Sequence, residues 1–534
     1  MKISSFFNIN GNIGSGAYGL PDFPNASDLL RHMDYLGVDR SLVWHTLARD
    51  LNPTTGNKML LDELSDQARL ISAFVTAPAD VYENGALDFL KSAFQRKAVK
   101  ALRVFPATSR FSLGLLERLL GEIAEFEPVI FWTFTNTTGR TDKTELADIA
   151  KKFPQINFVL TELMWGQFSE AVDLMWRAEN IHIDTSWLHM RDTIELLCDE
   201  FGAQRVLFGL GFKSHYGAPI ADLAHARISD EERELISHGN AERLLGLKAL
   251  NKSLFPKVEL LEKKPLWNAF KEGKPVEKTE VIDVHAHTGP TTRGWILRDI
   301  DIEENISNLI DQMDRCGVSK TMICPESALF GEPLEGNRSA ETFLSKHSDR
   351  FGGYFIYNPI YKDTLVPAFD EFFSRGFYQG FKVLPAYWHM PLTLPDYIPI
   401  WEYANKHHLP ILLHTWDDSH NPPRFLKEIA PKYPNAKFIL GHSGGGTPGR
   451  REAVELSNDN PNVFLEFCGS FTTPTDWFDT IEQVGIEKVL FGSDTGAHSL
   501  AWELGRFLSI PLPDEELHPA LSENFKKILN DIKL

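Results

Sequence analysis

Cysteine is scarce in this 534-residue chain: Cys198, Cys316, Cys324 and Cys468 are widely spaced and form no C-x-x-C pair. That excludes a disulfide-stapled scaffold and suits a reducing compartment. Basic residues are also in deficit, 54 Lys and Arg against 73 Asp and Glu, giving a formal charge of −19. A surface for nucleic acid or an anionic membrane needs the opposite balance. No apolar run approaches the length of a membrane span, and the opening MKISSFFNINGNIGSG lacks the apolar core of a signal peptide. These absences predict a soluble, cytoplasmic protein with neither nucleic acid nor membrane as a partner. The remaining composition, 43% hydrophobic and 24% charged, is ordinarily globular at a length that needs more than one core.

The chain repeats itself. DLLRHMDYLGVDRSLVW (28–44) matches NLIDQMDRCGVSKTMIC (308–324), aligning Met33 with Met313, Asp34 with Asp314 and Gly37-Val38 with Gly317-Val318. ALRVFPA (101–107) resembles GFKVLPA (380–386), FPQINFVLTE (153–162) resembles YPNAKFILGH (433–442), and RVLFGLG (205–211) resembles KVLFGSD (488–494). HGNAERLLG (238–246) resembles SENFKKILN (522–530). The order is kept throughout at offsets of 279 to 284 residues, the mark of a tandem duplication. In the second copy, short apolar runs at 281–285, 320–324, 352–357, 380–384, 410–414, 436–441, 462–467 and 488–493 alternate with amphipathic stretches. Buried parallel strands read this way, and eight in about 250 residues predict a (β/α)8 barrel. The expected fold is α/β, two tandem TIM-like barrels: residues 1–250, a packed or helical linker 251–279, and residues 280–534. A doubly wound open sheet is the structural rival.

Barrel chemistry sits where strands end. In the second copy VIDVHAHTGP (281–290) places His285 and His287 at the first strand end, on one side of the strand by alternation. Lys382 lies in GFKVLPA, His414 ends LPILLH, His442 follows KFIL, and Asp494 ends VLFGSD. Imidazoles with one carboxylate suit Zn2+, or another divalent metal such as Mn2+, and leave room for a water ionised near neutral pH. His347, His389, His407, His408, His420 and His498 read as hydrogen-bonded core or loop groups. Trp388, Trp416 and Phe330 are candidate pocket aromatics.

DVHAH, HTW, GHSGG and LFGSD, in this order, resemble the amidohydrolase-related group of the amidohydrolase superfamily, over roughly residues 280–534. That group includes hydrolases, lactonases and nonoxidative decarboxylases similar to aminocarboxymuconate-semialdehyde decarboxylase. The resemblance implies that His285, His287, His414 and Asp494 hold the metal, that His442 orients or deprotonates the attacking water, and that Lys382 bridges two metals or holds a substrate carboxylate. GSDTGAH departs from the aromatic–proline sequence that often follows the aspartate in the decarboxylases. Hydrolysis of a small ester, lactone or amide is therefore the first expectation. Decarboxylation of a small carboxylic acid is the alternative, and a metal-dependent binding or regulatory protein is the non-enzymatic one.

In the first copy the aligned positions read Asn8 and Asn10 for the histidine pair, Arg103 for Lys382, Trp132 for His414, Glu162 for His442 and Gly211 for Asp494. The barrel is expected to persist there without a metal, as the silent half of an intramolecular pseudo-dimer that is itself free to oligomerise.

Overall fold

The computed structural model describes residues 3–16, 22–134, 144–163, 166–249, 256–289, 301–469 and 477–534. They form two units, one built on Met1–Glu259 and the other on Leu260–Thr291 and Leu297–Leu534. In the first, β1 (Phe7–Ile13), β2 (Arg40–His45), β3 (Leu70–Val75), β4 (Ala101–Val104), β5 (Val129–Thr133), β6 (Asn157–Thr161), β7 (Ile181–Asp184) and β8 (Val206–Leu207) pair in chain order, all parallel. The second repeats this with β9 (Ile282–Thr288), β10 (Lys320–Pro325), β11 (Phe351–Ile356), β12 (Tyr378–Val383), β13 (Pro410–His414), β14 (Lys437–Gly441), β15 (Val463–Glu466) and β16 (Val489–Leu490). Each sheet returns on itself, Ile9 N donating to Phe208 O and Val284 N to Phe491 O, both at 3.0 Å. With helices between the strands, each unit is a (β/α)8 barrel, and the open-sheet rival is excluded. No helix among the described residues is long and apolar enough to cross a membrane.

The repeated sequence motifs turn out to be folding devices. Gly37 and Gly317 end the helices Ala26–Leu36 and Ile302–Cys316 in the left-handed region, at φ 86° and 79°, where a side chain would be strained. The valine that follows each glycine donates its N–H back to Met33 O or Met313 O at 2.8 Å. Asp34 and Asp314 pair with Arg69 and Arg350, at 2.5 and 2.8 Å. Buried asparagines clamp neighbouring backbone at matching places: Asn57 and Asn337 on the third strand, Asn240 and Asn524 behind the eighth. The barrel floors are apolar and closed by the final helix of each unit. Ala241, Leu244 and Leu245 pack under Phe7, Ile9 and Val129 in one, and Phe525 and Ile528 under Ile282, Val284 and Leu412 in the other. Burial of these inward-facing side chains supplies the main stabilisation, and the candidate site lies at the opposite, C-terminal end.

Within the expected linker, residues 251–255 lie outside the described residues, and Pro265–Phe270 is a helix with Trp267 and Phe270 buried. Lys264 just before it is also buried, its Nζ 2.5 Å from Leu512 O and 3.4 Å from Asp514 Oδ1. This stretch therefore packs as part of the second barrel.

Candidate metal centre

At the C-terminal end of the second barrel the first strand and the last meet through three atoms. His285 Nε2 and His287 Nε2 are 3.3 Å apart, and Asp494 Oδ1 lies 3.5 Å from the first and 3.0 Å from the second. The barrel seam positions them: Asp494 N donates to His285 O at 2.7 Å, with Asp494 in the left-handed region at φ 56°. On their far sides, His285 Nδ1 is 3.1 Å from Glu466 Oε2 and His287 Nδ1 is 3.0 Å from Glu326 Oε1. With each Nδ1 beside a carboxylate, the proton of a neutral imidazole sits on Nδ1 and both Nε2 atoms turn to Asp494. Two lone pairs and a carboxylate oxygen this close call for a shared positive charge, either a proton or a divalent cation. As a proton site it shows in His287: burial lowers its pKa, but hydrogen bonds to Asp494 and Glu326 outweigh this and push it up to about 9. Burial would raise Asp494, yet His285 and His287 hold it well below the usual carboxylate range. Two imidazole nitrogens and an oxygen converging on one point are the donors of a zinc or manganese site, so these residues fit a divalent metal.

The other expected residues join this cluster. Buried Lys382 on β12 places Nζ 2.8 Å from His285 Nε2. The His414 ring, at the end of β13, stands 4.8 Å from that of His442, and its Nδ1 and carbonyl oxygen are 2.8 and 2.7 Å from Asn421 Nδ2. Burial first, then His442 and Lys382, keep His414 neutral. His442 follows β14 in a tight left-handed turn, φ 63°, with Ser443 at φ 44°. Its Nδ1 lies 3.5 Å from Cys468 Sγ, and burial drops its pKa to about 3. Trp416 stacks 6.1 Å from His414 and sits 5.8 Å from His442, so this aromatic borders the cluster. Phe330 lines a cavity of about 810 Å³ that reaches Thr288 and Glu326, while Trp388 donates to Leu329 O at 3.2 Å.

Strand pairing corrects three of the cross-copy equivalences, through register slips at two strands. Phe7 pairs with Arg40 as Ile282 pairs with Lys320, and Asn12 with Trp44 as His287 with Cys324. Asn10 and Asn12 therefore stand where His285 and His287 do; Asn8 matches Asp283. Likewise Thr133 pairs with Thr161 as His414 pairs with Gly441, so Thr133 replaces His414. Trp132 is one residue away and points to the other side of its strand. Both slips came from aligning apolar letters without the pairing register. Arg103, Glu162 and Gly211 hold their expected places, Glu162 and Gly211 sharing the left-handed backbone of His442 and Asp494.

What fills the first barrel is the Arg103 guanidinium. It donates to Asn10 Oδ1 (2.6 Å), Thr133 Oγ1 (3.1 Å), Thr161 Oγ1 (3.1 Å) and Glu162 Oε1 (2.8 Å). The positional equivalents of His285, His414 and His442 thus all bind one fixed cation. No carboxylate stands at position 211, and a Cβ there would lie 2.4 Å from Ser186 O and 2.7 Å from His215 Nδ1. These residues do not fit a metal.

The amidohydrolase family model matches residues 26–247 and 334–530. The chain belongs to the amidohydrolase family. Among solved structures, each half-chain match is to a smaller protein. The 5-carboxyvanillate decarboxylase from Sphingomonas paucimobilis is 12% identical over 47% of this chain and 99% of its own, TM-score 0.37. The 2,6-dihydroxybenzoate decarboxylase from Rhizobium is 16% identical over 46% and 99%, TM-score 0.34. A dihydroxybenzoic acid decarboxylase from Polaromonas with bound manganese is 16% identical over 47% and 97%, TM-score 0.35. No curated protein matches.

Several groups of this amidohydrolase centre escaped the sequence. Glu326, Glu466 and Cys468 lie outside the recurring motifs and contact histidines distant in the chain, and Asn421 contacts His414 seven residues away. His498, read as an ordinary loop histidine, is part of the cluster: its Nε2 is 3.9 Å from Asp494 Oδ2 and its Nδ1 3.3 Å from buried Glu503 Oε1. Its spacing from Asp494, and the histidine kept at the matching position 215, were the available signals. His420 fits the bland reading, bonded to Ser419 Oγ at 2.9 Å.

Proposed function

We propose that the second barrel is a metal-dependent enzyme of the amidohydrolase family that removes carbon dioxide from a small carboxylic acid. Lys382 carries this reading. Its Nζ lies 2.8 Å from the same His285 nitrogen that faces the metal position. An ammonium and a divalent cation sharing that nitrogen repel strongly unless an anion lies between them. A substrate carboxylate is such an anion, and it would be fixed at both ends. In this reading His285, His287, His414 and Asp494 hold the metal, Zn2+ or Mn2+, which when bound polarises the carboxyl group. Lys382 orients the carboxylate as a point charge. The bond between carbon and carboxyl breaks, carbon dioxide leaves, and the electron pair left on carbon takes up a proton from water relayed by His442.

A specific observation favours a second reading, hydrolysis of an ester, lactone or amide. Burial leaves His442 neutral, at about 3, the state of a general base toward water rather than of a proton donor. The zinc- or manganese-loaded chain, incubated with small aryl and dicarboxylic acids and with matching esters and lactones, separates the two. Carbon dioxide released in step with loss of the acid supports the proposal; turnover of the esters and lactones alone overturns it in favour of hydrolysis.

A further inference from the structure

Glu466 ends β15 fully buried, and its carboxylate collects four donors. Oε2 is 3.1 Å from His285 Nδ1, from the backbone N of His442 and from Cys468 Sγ. Oε1 accepts from Cys468 N at 2.6 Å. Space for it is reserved by Gly492, where a Cβ would lie 2.2 Å from Oε1. The first barrel keeps the same arrangement one methylene shorter. Asp184 stands at the matching strand end, and a Cβ on Gly209 would lie 2.5 Å from its Oδ2. Among the described residues, Asp184 Oδ1 accepts only from its own turn, Ser186 N at 3.3 Å and Ser186 Oγ at 2.8 Å, and its Oδ2 has no hydrogen-bond partner. The carboxylate at the seventh strand is thus common to both barrels, but only the longer one reaches the first strand and the turn after the sixth.

We infer that Glu466 is the positioning residue of the centre: it fixes the His285 tautomer with Nδ1 protonated and Nε2 bare, and ties the His442 turn to the same carboxylate. The inference rests on the metal reading above. The physical reason is that a carboxylate cannot donate, so the imidazole facing it must, and the ring is then locked in the only form that binds a cation through Nε2. Cys468 needs no second cation, since its thiol and backbone N–H are both taken up by Glu466.

The test is Glu466→Asp in the full chain, which withdraws the carboxylate to the reach of Asp184. Metal affinity is read by competition with a chromophoric chelator, and the histidine tautomers by 15N spectra of the metal-free protein. Affinity for Zn2+ or Mn2+ is expected to fall about 10–100-fold, with loss of one Nδ1-protonated imidazole signal. Glu466→Gln keeps the length and removes the charge; it should show the same direction and serves if the aspartate variant does not fold. Wild-type affinity with an unchanged spectrum in either variant overturns the inference. If wild type binds no metal, the metal reading itself fails and takes this inference with it. If Asp494→Ala loses the metal while Glu466→Asp keeps it, only the role of Glu466 is overturned.

Discussion

In the first barrel the cation at the strand ends is covalently part of the chain, the guanidinium of Arg103 held by Asn10, Thr133, Thr161 and Glu162. In the second the same positions carry His285, His414 and His442, and the fourth strand offers the shorter side chain of Lys382. The negative partner has moved as well. It sits after the sixth strand in one barrel, as Glu162, and after the eighth in the other, as Asp494. The first half thus holds its own cation at these strand ends, whereas the second carries a set of donors that fits a divalent metal. Moving the carboxylate is what makes the exchange complete, because Glu162 pairs a guanidinium and leaves position 211 to a glycine packed against His215.

The largest effect that would break this comparison is on metal content. Asp494→Ala should abolish stoichiometric binding and bring turnover to background, whereas Asn12→Ala, at the place of His287, should change neither. Metal analysis beside a product assay checks both. Next, His442→Ala should keep the metal and lose roughly two to four orders of magnitude in turnover. Loss of metal in that variant would make His442 a ligand. The counterpart in the first barrel is a stability effect: Arg103→Met strands a buried Glu162 and should cost about 3–5 kcal/mol in unfolding of that unit. Adding Glu162→Leu should recover part of it, read by denaturant titration, and a chelator should leave that unit's transition in place.

The last expected effect is a pH slope. Burial pushes Asp184 from 3.8 to about 7, so the folded first barrel holds a proton that the unfolded chain has already given up. Its contribution is full below 3.8 and is lost as pH rises to about 7, beyond which it is flat. Asp184→Asn should remove that slope from the pH dependence of melting.

Much of this was legible in the sequence because duplication shows directly in repeated letters. The Gly-Val caps and the Asp34 and Asp314 ion pairs recur for folding reasons, so they survived in both halves and revealed the duplication, while the eight apolar runs revealed the barrel. The candidate ligands were legible for a different reason: histidines at the ends of apolar runs have few structural excuses when five strand ends carry ligand-type residues in order. Registers were not legible. A shift of one or two residues leaves the apolar pattern intact, and only pairing with the neighbouring strand assigns Asn10, Asn12 and Thr133 their places. Glu466 and Glu326 were hidden because an acidic residue near a strand end is common, and only contact with His285 and His287 gives it meaning.

The most direct test of the account is anomalous scattering from crystals of the full chain grown with Zn2+ or Mn2+. Density confined to the second barrel, beside His285, His287 and Asp494, with none next to Arg103, is the predicted result. A metal peak among Asn10, Arg103 and Glu162, or no peak at the second barrel's histidines, would contradict it.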